Sequence, residues 1–305
     1  MNPYYQDYSE YMGRIFPGVK VQKLSVNAGF SCPNRDGTIG TGGCIYCNNT
    51  SFTPGYCREE TDVAGQIEQG KRFFARKYPE MKYLAYFQSY TNTHGRSPDR
   101  LKSLYESALE ADDVVGLIVG TRPDTLDADV VEVLGSLSAG VPVFVEIGAE
   151  SSHDATLRKV NRGHDWQQVC EATERCVSAG LHVGLHLICG LPGEDEEDVI
   201  ATVDRAVSLP VESLKFHQLQ IIEDTPLCRM WKEGSIKVDL FTPERYLKLC
   251  ERIVRRVPRR IAIERFLASA PPHMVAAPCW GLKNYQFTQR LLASLKAHGR
   301  PHRQE

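Results

Sequence analysis

Short apolar runs alternate along the chain with longer stretches whose apolar residues recur every three or four positions. The runs cover residues 21–26, 82–88, 114–120, 143–147, 182–188 and 214–220, each the length of a buried strand. Between them, residues 63–78, 99–111, 128–137, 166–179 and 196–209 show helical spacing. Gly140, Gly180 and Pro210 stand just past three of these stretches, where helices end. Strands alternating with helices predict βαβ units and a parallel sheet. The pattern fits an open doubly wound sheet and a curved, barrel-like one equally. In both, functional groups gather at the C-terminal ends of the strands and in the loops beyond them.

From Phe241 the pattern changes. A helix over 244–257 leads through Pro258 to a short apolar run at 261–266, a Pro-rich loop at 269–278 and a last helix over 283–296. This predicts a core domain over 1–240 and an extension over 241–305 packed on it.

Composition adds little to this picture and charge adds more. The 305 residues are 42% hydrophobic and 24% charged, ordinary for a soluble α/β chain of one large domain or two small ones. The net charge of −2 conceals an asymmetry: residues 251–305 carry 9 Arg and 2 Lys against 3 Glu, so they hold +8 and the first 250 residues −10. Arg252, Arg255, Arg256, Arg259 and Arg260 offer a basic surface to a polyanion such as RNA. The alternative is a solvated helix face. The N-terminus lacks the regions of a secretory signal, and the apolar runs are far shorter than the ~20 residues that span a bilayer, so no membrane role is expected. Ten cysteines without an export signal suggest a reducing, cytoplasmic setting.

Three of those cysteines crowd the loop after the first strand, in Cys32-Pro-Asn-Arg-Asp-Gly-Thr-Ile-Gly-Thr-Gly-Gly-Cys44-Ile-Tyr46-Cys47. Three soft thiolates in one loop suit zinc or iron–sulfur ligation, and Gly37, Gly40, Gly42 and Gly43 let it wrap tightly. A fourth cysteine is missing, as in catalytic metal sites that keep a position open. The alternative is a Cys₃ zinc knob or three buried thiols. Cys170 and Cys176 sit six apart on one helix and read as core; Cys57, Cys228, Cys250 and Cys279 show no ligand spacing.

The Cys-x-aromatic-Cys ending resembles the cluster motif of the radical S-adenosylmethionine (SAM) superfamily. The long first gap, with Gly-Gly before the second cysteine, is similar to the branch containing the Elongator catalytic subunit and the YhcC-like proteins. The resemblance implies a partial (β/α)₆ TIM-like barrel with a C-terminal helical extension. It also implies a [4Fe–4S] cluster on Cys32, Cys44 and Cys47 whose open iron chelates SAM. One electron would cleave SAM to a 5′-deoxyadenosyl radical, which abstracts hydrogen from the substrate; a low-potential electron donor is the implied partner.

The strand ends supply the remaining candidates. The second ends in Gln88-Ser89-Tyr90-Thr91-Asn92, where the superfamily usually carries a Gly-Gly-Glu-like motif for the SAM amine; this chain matches it by position only. The third ends in Gly120-Thr121-Arg122-Pro123-Asp124, which resembles a Thr-Arg-Pro-Asp signature of the Elongator-like branch. Arg122 could fork onto a carboxylate of SAM or onto Asp124. After the fourth, the resemblance implies that Glu150 and Ser151 contact the SAM ribose and that Arg162, in the later segment, pairs with its carboxylate; His164 caps or packs. The fifth leads into Gly190-Leu191-Pro192-Gly193, a turn that lets backbone approach an adenine, or an ordinary strand-to-helix turn. Tyr46, Gln88, Ser89, Thr91, Arg122, Glu150, Ser151, Arg162 and Leu191 are therefore the candidate cofactor contacts. Lys215 and His217 alternate with apolar neighbours on the sixth strand and share one face. With Tyr90 they are the candidate catalytic residues, and His186 on the fifth strand is expected beside them in a substrate shell; each alone is also readable as a satisfied core or surface group. Cys189 reads as a small buried residue or a substrate-facing thiol.

Elongator-type enzymes modify the wobble uridine of tRNA, so the resemblance implies tRNA as the leading substrate. The chain leaves no room for an acetyltransferase domain, so acetyl-CoA chemistry is not expected. Two alternatives remain: the same radical chemistry on a small molecule, and a non-catalytic iron–sulfur protein. Oligomeric state is open.

Overall fold

The computed structural model describes residues 2–59, 62–75 and 80–299. The chain opens with β1 (Gln6–Asp7), α1 (Tyr8–Ile15) and β2 (Val21–Val26). Past the cysteine loop come α2 (Tyr56–Glu59), α3 (Val63–Ala75), β3 (Lys82–Phe87), α4 (Pro98–Leu109), β4 (Val114–Thr121), α5 (Ala128–Ser138) and β5 (Val143–Glu150). There follow α6 (Asp154–Lys159), α7 (Trp166–Ser178), β6 (His182–Cys189), α8 (Glu196–Val207) and β7 (Ser213–Gln218). The rest is β8 (Ile221–Ile222), α9 (Pro226–Lys232), α10 (Pro243–Arg256), β9 (Ala262–Arg265), β10 (Val275–Ala277) and α11 (Asn284–His298). The helix expected over 63–78 is described as far as Ala75; its last three expected residues lie outside the described ones.

Helix starts obey local chemistry. Asp127, Asp165 and Asp195 accept backbone N–H groups at the N-termini of α5, α7 and α8, and a capping box closes the last two.

Eight strands form a parallel sheet in the order β1-β9-β7-β6-β5-β4-β3-β2, curled into the partial TIM-like barrel that the resemblance implied, and β8 and β10 pair antiparallel apart from it. The six anticipated strands run from the edge strand β2 to β7, and two more extend the sheet beyond β7. The run at 261–266, assigned to the tail, becomes β9 and pairs with β7 and β1 through Ala262. β1 spans two residues, too few to leave a pattern.

Alternation along the strands sorts the side chains. One set, including Leu24, Phe87, Leu117, Val145, Leu185 and Phe216, joins the core shared with the helices. The other set fills the inside in layers. At the bottom, Tyr11, Met12 and Phe16 at α1 pack on Leu84, Ile118 and Phe144, so the N-terminal helix plugs the half-barrel. Two residues up each strand lies a charged layer of Lys23, Tyr86, Glu146, His186, Lys215 and Glu264. Two further up, Gln88, Gly120, Gly148, Ile188 and His217 line an open cavity.

The arginine-rich helix α10 packs against α8, and four of the five arginines read as a phosphate-facing surface are engaged within the fold. Arg252 pairs with Glu196 and Glu197, and Arg256 with Asp204. Arg259 and Arg260 donate to the carbonyls of Asn2 and Val207. The charge asymmetry along the sequence thus has a partner within the fold: α8 is acidic where α10 is basic. No helix among the described residues is long and apolar enough to cross a membrane.

Candidate active site

A cavity of about 410 Å³ opens at the C-terminal ends of the strands, and Cys32, Cys44 and Cys47 all stand in its wall. The loop that carries them is built from its own backbone. Arg35 and Asp36 donate N–H groups to the Cys32 carbonyl, Cys47 to that of Cys44, and Gly43 to that of Asn34. Gly43 has φ of +75°, and a Cβ there would lie 2.7 Å from Arg35 Nε. Only glycine lets Arg35 cross the loop to the Cys47 carbonyl at 2.8 Å. Asp36 clasps the outer turn through Ser31, Thr38 and His94. Among the described residues no three His, Cys, Asp or Glu side chains gather into a site for a single ion; the three thiols are placed around the cavity wall. Burial, reinforced by Cys44 and opposed by Arg35, pushes the Cys47 thiol up to about 11, so its thiolate calls for a positive centre beside it.

Arg162 is the hub of the opposite wall. Its Nη2 donates to the Gly148 carbonyl at 2.6 Å and lies 3.2 Å from Glu150 Oε1, and its Nη1 is 3.6 Å from Cys44 Sγ. Its Nε donates to His164 Nε2 at 3.0 Å. A guanidinium only donates, so that ring nitrogen carries no hydrogen and the proton sits on Nδ1, facing the Asp165 carbonyl. Burial, with Arg162 and Arg122 beside it, drives His164 down to about 2. His164 is therefore a neutral acceptor that orients Arg162. Gly148 makes the approach possible, since a Cβ there would meet Arg162 Nη2 at 2.5 Å. Glu150 holds φ of +66° and Tyr90 +61°; such backbone is costly for bulky residues and concentrates at functional sites.

Arg122 takes both readings of the Thr-Arg-Pro-Asp segment. It forks onto Asp124 at 2.9 and 3.0 Å and donates to the Arg162 carbonyl. Its Nη1 stays buried without a hydrogen-bond partner, as does the Tyr46 hydroxyl, and both residues line the cavity. Buried donors left open in this way suit a polar ligand. Three soft thiols and these unsatisfied donors therefore fit an iron–sulfur cluster with SAM beside it.

The cavity gathers Tyr46, Gln88, Tyr90, Thr91, Arg122, Glu150, Arg162 and His217 from the sequence candidates. Four others stand outside its wall. Ser89 is buried behind the loop, with its hydroxyl against Thr53. Ser151 donates to Glu194 and ties the end of β5 to the turn after β6. Leu191 belongs to an apolar cluster with Leu219 and Leu227. Lys215 lies one layer below, fully engaged by Glu146 at 3.0 Å and Glu264 at 3.1 Å, because a strand alternates by two residues and His217 occupies the upper step. Cys57 and Cys189 also miss the wall: Cys57 donates to the Ser25 carbonyl, and Cys189 packs under the Tyr246 hydroxyl.

Glu146 and Arg265 escaped the sequence reading. Glu146 accepts from Lys23, Tyr86, His186 and Lys215. Burial alone would raise it, yet the charges of Lys215, Lys23 and His186 outweigh burial and hold it well below the usual carboxylate range. A carboxylate in the middle of a strand otherwise rich in apolar residues was the available signal. Arg265 sits in the short run from the tail, which only the sheet brings to the cavity.

The family model described as the Radical SAM superfamily matches residues 34–206, and the Radical_SAM C-terminal domain matches residues 211–297. Protein YhcC of Escherichia coli (strain K12) is 36% identical over 284 residues, covering 92% of this chain and 89% of that protein. A tRNA uridine(34) acetyltransferase of Methanocaldococcus infernus is 27% identical over 185 residues, 58% of this chain but 33% of that protein. The solved structure of archaeal Methanocaldococcus infernus Elp3 with an N-terminal deletion superimposes with a TM-score of 0.71 over 93% of this chain and 65% of its own, at 18% identity. The cysteine-lined cavity at the top of a partial barrel, the family matches and this shared fold lead to one conclusion: the chain belongs to the radical SAM superfamily and is an enzyme that works with a [4Fe–4S] cluster and SAM.

Proposed function

We propose that this enzyme modifies an RNA nucleoside, with the wobble uridine of tRNA as its leading substrate, in the reducing setting of the cytoplasm. The single observation that carries the reading is the sequence similarity to a tRNA uridine(34) acetyltransferase over 58% of this chain. Only the matched third of that relative is carried over, so acetyl transfer is not part of the proposal.

The residues divide the work. Cys32, Cys44 and Cys47 hold the cluster as thiolates, and Arg35 offsets charge at Cys47. Bound there, the cluster and SAM would supply reductive one-electron cleavage of SAM and, with it, radical hydrogen abstraction. Arg162, held in orientation by His164 and Glu150, and Arg122 through its open Nη1 bind the carboxylate of SAM. Gln88, Tyr90 and Thr91, in the cavity wall after β3, would take its amine. The charged layer and α1 seal the bottom against water. His186, fixed by Glu146 at 2.6 Å, presents an imidazole to the cavity floor, a group able to hold or move a proton on the substrate.

Comparison of tRNA nucleosides from deletion and parent strains tests the reading. A missing or changed nucleoside at the wobble position supports it, and an unchanged profile removes it. A small-molecule substrate is the second reading, favoured by the closed bottom and modest volume of the cavity; an accumulated metabolite in the deletion strain would point there.

A further inference from the structure

We infer that Arg265 and His217 form a receptor for an oxyanion carried by the substrate, on the β7–β9 side of the cavity.

Among the described residues four arginines line the cavity: Arg35, Arg122, Arg162 and Arg265. The first reaches the Cys47 carbonyl, and the next two pair with Asp124 and Glu150. Arg265 has no carboxylate partner among the described residues. Its Nη1 lies 3.2 Å from Ser269 Oγ and its Nη2 3.3 Å from His217 Nε2, while its Nε is buried without a hydrogen-bond partner. Glu264, the adjacent residue, is turned away to Lys23 and Lys215 at 2.8 and 3.1 Å. A half-buried guanidinium with no carboxylate in contact is costly, since Glu264 acts on it only from a distance, and an incoming anion removes that cost.

The histidine completes the receptor. Arg265 can only donate, so His217 Nε2 accepts and its Nδ1 carries the proton. No described residue takes that N–H, and His217 lines the same cavity. Burial, followed by the charge of Arg265, keeps the ring neutral and in this donor state. Two donors, one on a planar fork, match the oxygens of a phosphate or carboxylate. Arg162 and Glu150 stand at the end of β5, three strands along the sheet from β9, so the SAM carboxylate has its own site.

On the RNA reading the oxyanion is a backbone phosphate beside the modified base, an assignment that rests on that reading. On the small-molecule reading it is a substrate carboxylate or phosphate. The anaerobically reconstituted enzyme, saturated with SAM, is titrated calorimetrically with inorganic phosphate and, separately, with a synthetic tRNA anticodon stem-loop. Arg265→Gln should weaken phosphate binding by about tenfold or more, and His217→Gln by a smaller factor. Arg265→Lys, which keeps the charge and loses the fork, should fall between. With the stem-loop, Arg265→Gln should also lower the slope of log affinity against log salt by roughly 0.7–0.9. Iron content and circular dichroism matching the parent enzyme establish that the variants fold. Phosphate binding lost in Arg265→Gln without any stem-loop binding keeps the receptor and removes the RNA reading. Parent enzyme that binds no phosphate, or Arg265→Gln that binds both probes like the parent, overturns the receptor.

Discussion

Lys23 on β2 and Glu264 on β9 meet at 2.8 Å, although β2 is one edge of the sheet and β9 is next to the other. This ion pair spans the inside of the half-barrel where no strand pairing closes it. Around it, Lys215 and Glu146 complete a buried square of two cations and two carboxylates, with Lys23 to Glu146 at 2.6 Å. The square is the floor beneath the reaction cavity.

Removing one carboxylate of this square leaves two buried lysines sharing the other, with one charge uncompensated. Glu264→Gln should cost about 3–5 kcal/mol of stability, read as a shift in the urea midpoint. The double replacement Lys23→Met with Glu264→Leu should cost clearly less, because it removes a charge of each sign. If Glu264→Gln stays within about 1 kcal/mol of the parent, the square is not a buried ion network.

The cysteine assignment predicts a sharp split. Alanine at Cys32, Cys44 or Cys47 should abolish cluster absorbance after anaerobic reconstitution, and with it the formation of 5′-deoxyadenosine. Alanine at Cys57 or Cys189, which stand outside the cavity wall, should retain full iron content. Iron retained in Cys44→Ala, or lost in Cys57→Ala, would contradict the ligand set.

Gly148 is the hinge of the SAM side. In Gly148→Ala the new Cβ would sit 2.5 Å from Arg162 Nη2 and 2.7 Å from Glu150 Oε1, so the guanidinium must move. SAM affinity should fall by about tenfold or more, with a stability loss of about 1–3 kcal/mol. Equilibrium binding of SAM to the parent and variant checks this, and equal affinities would detach Arg162 from SAM binding.

His164 makes stability sensitive to pH. Its folded value, near 2, lies below the ~6.5 of an unfolded histidine. Its contribution is therefore complete above that unfolded value and is lost as pH falls from there toward the folded one, since only the unfolded chain takes up the proton. The slope from this residue is about 1.4 kcal/mol per pH unit. Urea midpoints measured between about pH 7 and 5 should fall less steeply in His164→Gln than in the parent. Identical slopes would show that His164 is not held neutral.

Much of the site was legible before any coordinates. The cysteine loop announces itself because its ligands are close in sequence and glycine-rich. Arg122 follows from its place at a strand end, and Arg162, in the loop after α6, from the family resemblance. Lys215 was misplaced by one layer because alternation gives the face of a strand but not the height at which a cavity begins. The basic tail looked free because its acidic partners on α8 lie about fifty residues away.

Strand and helix order, the parallel sheet and the three thiols are determined by the sequence itself, since each rests on local periodicity or short spacing. The layered interior is decided by tertiary structure: α1 as a plug, the charged square of Lys23, Glu146, Lys215 and Glu264, and the arrival of Arg265 at the cavity. These depend on contacts between residues up to 241 positions apart. Only closure of the curled sheet brings such residues together, and burial then sets the charges and hydrogen-bond roles they adopt.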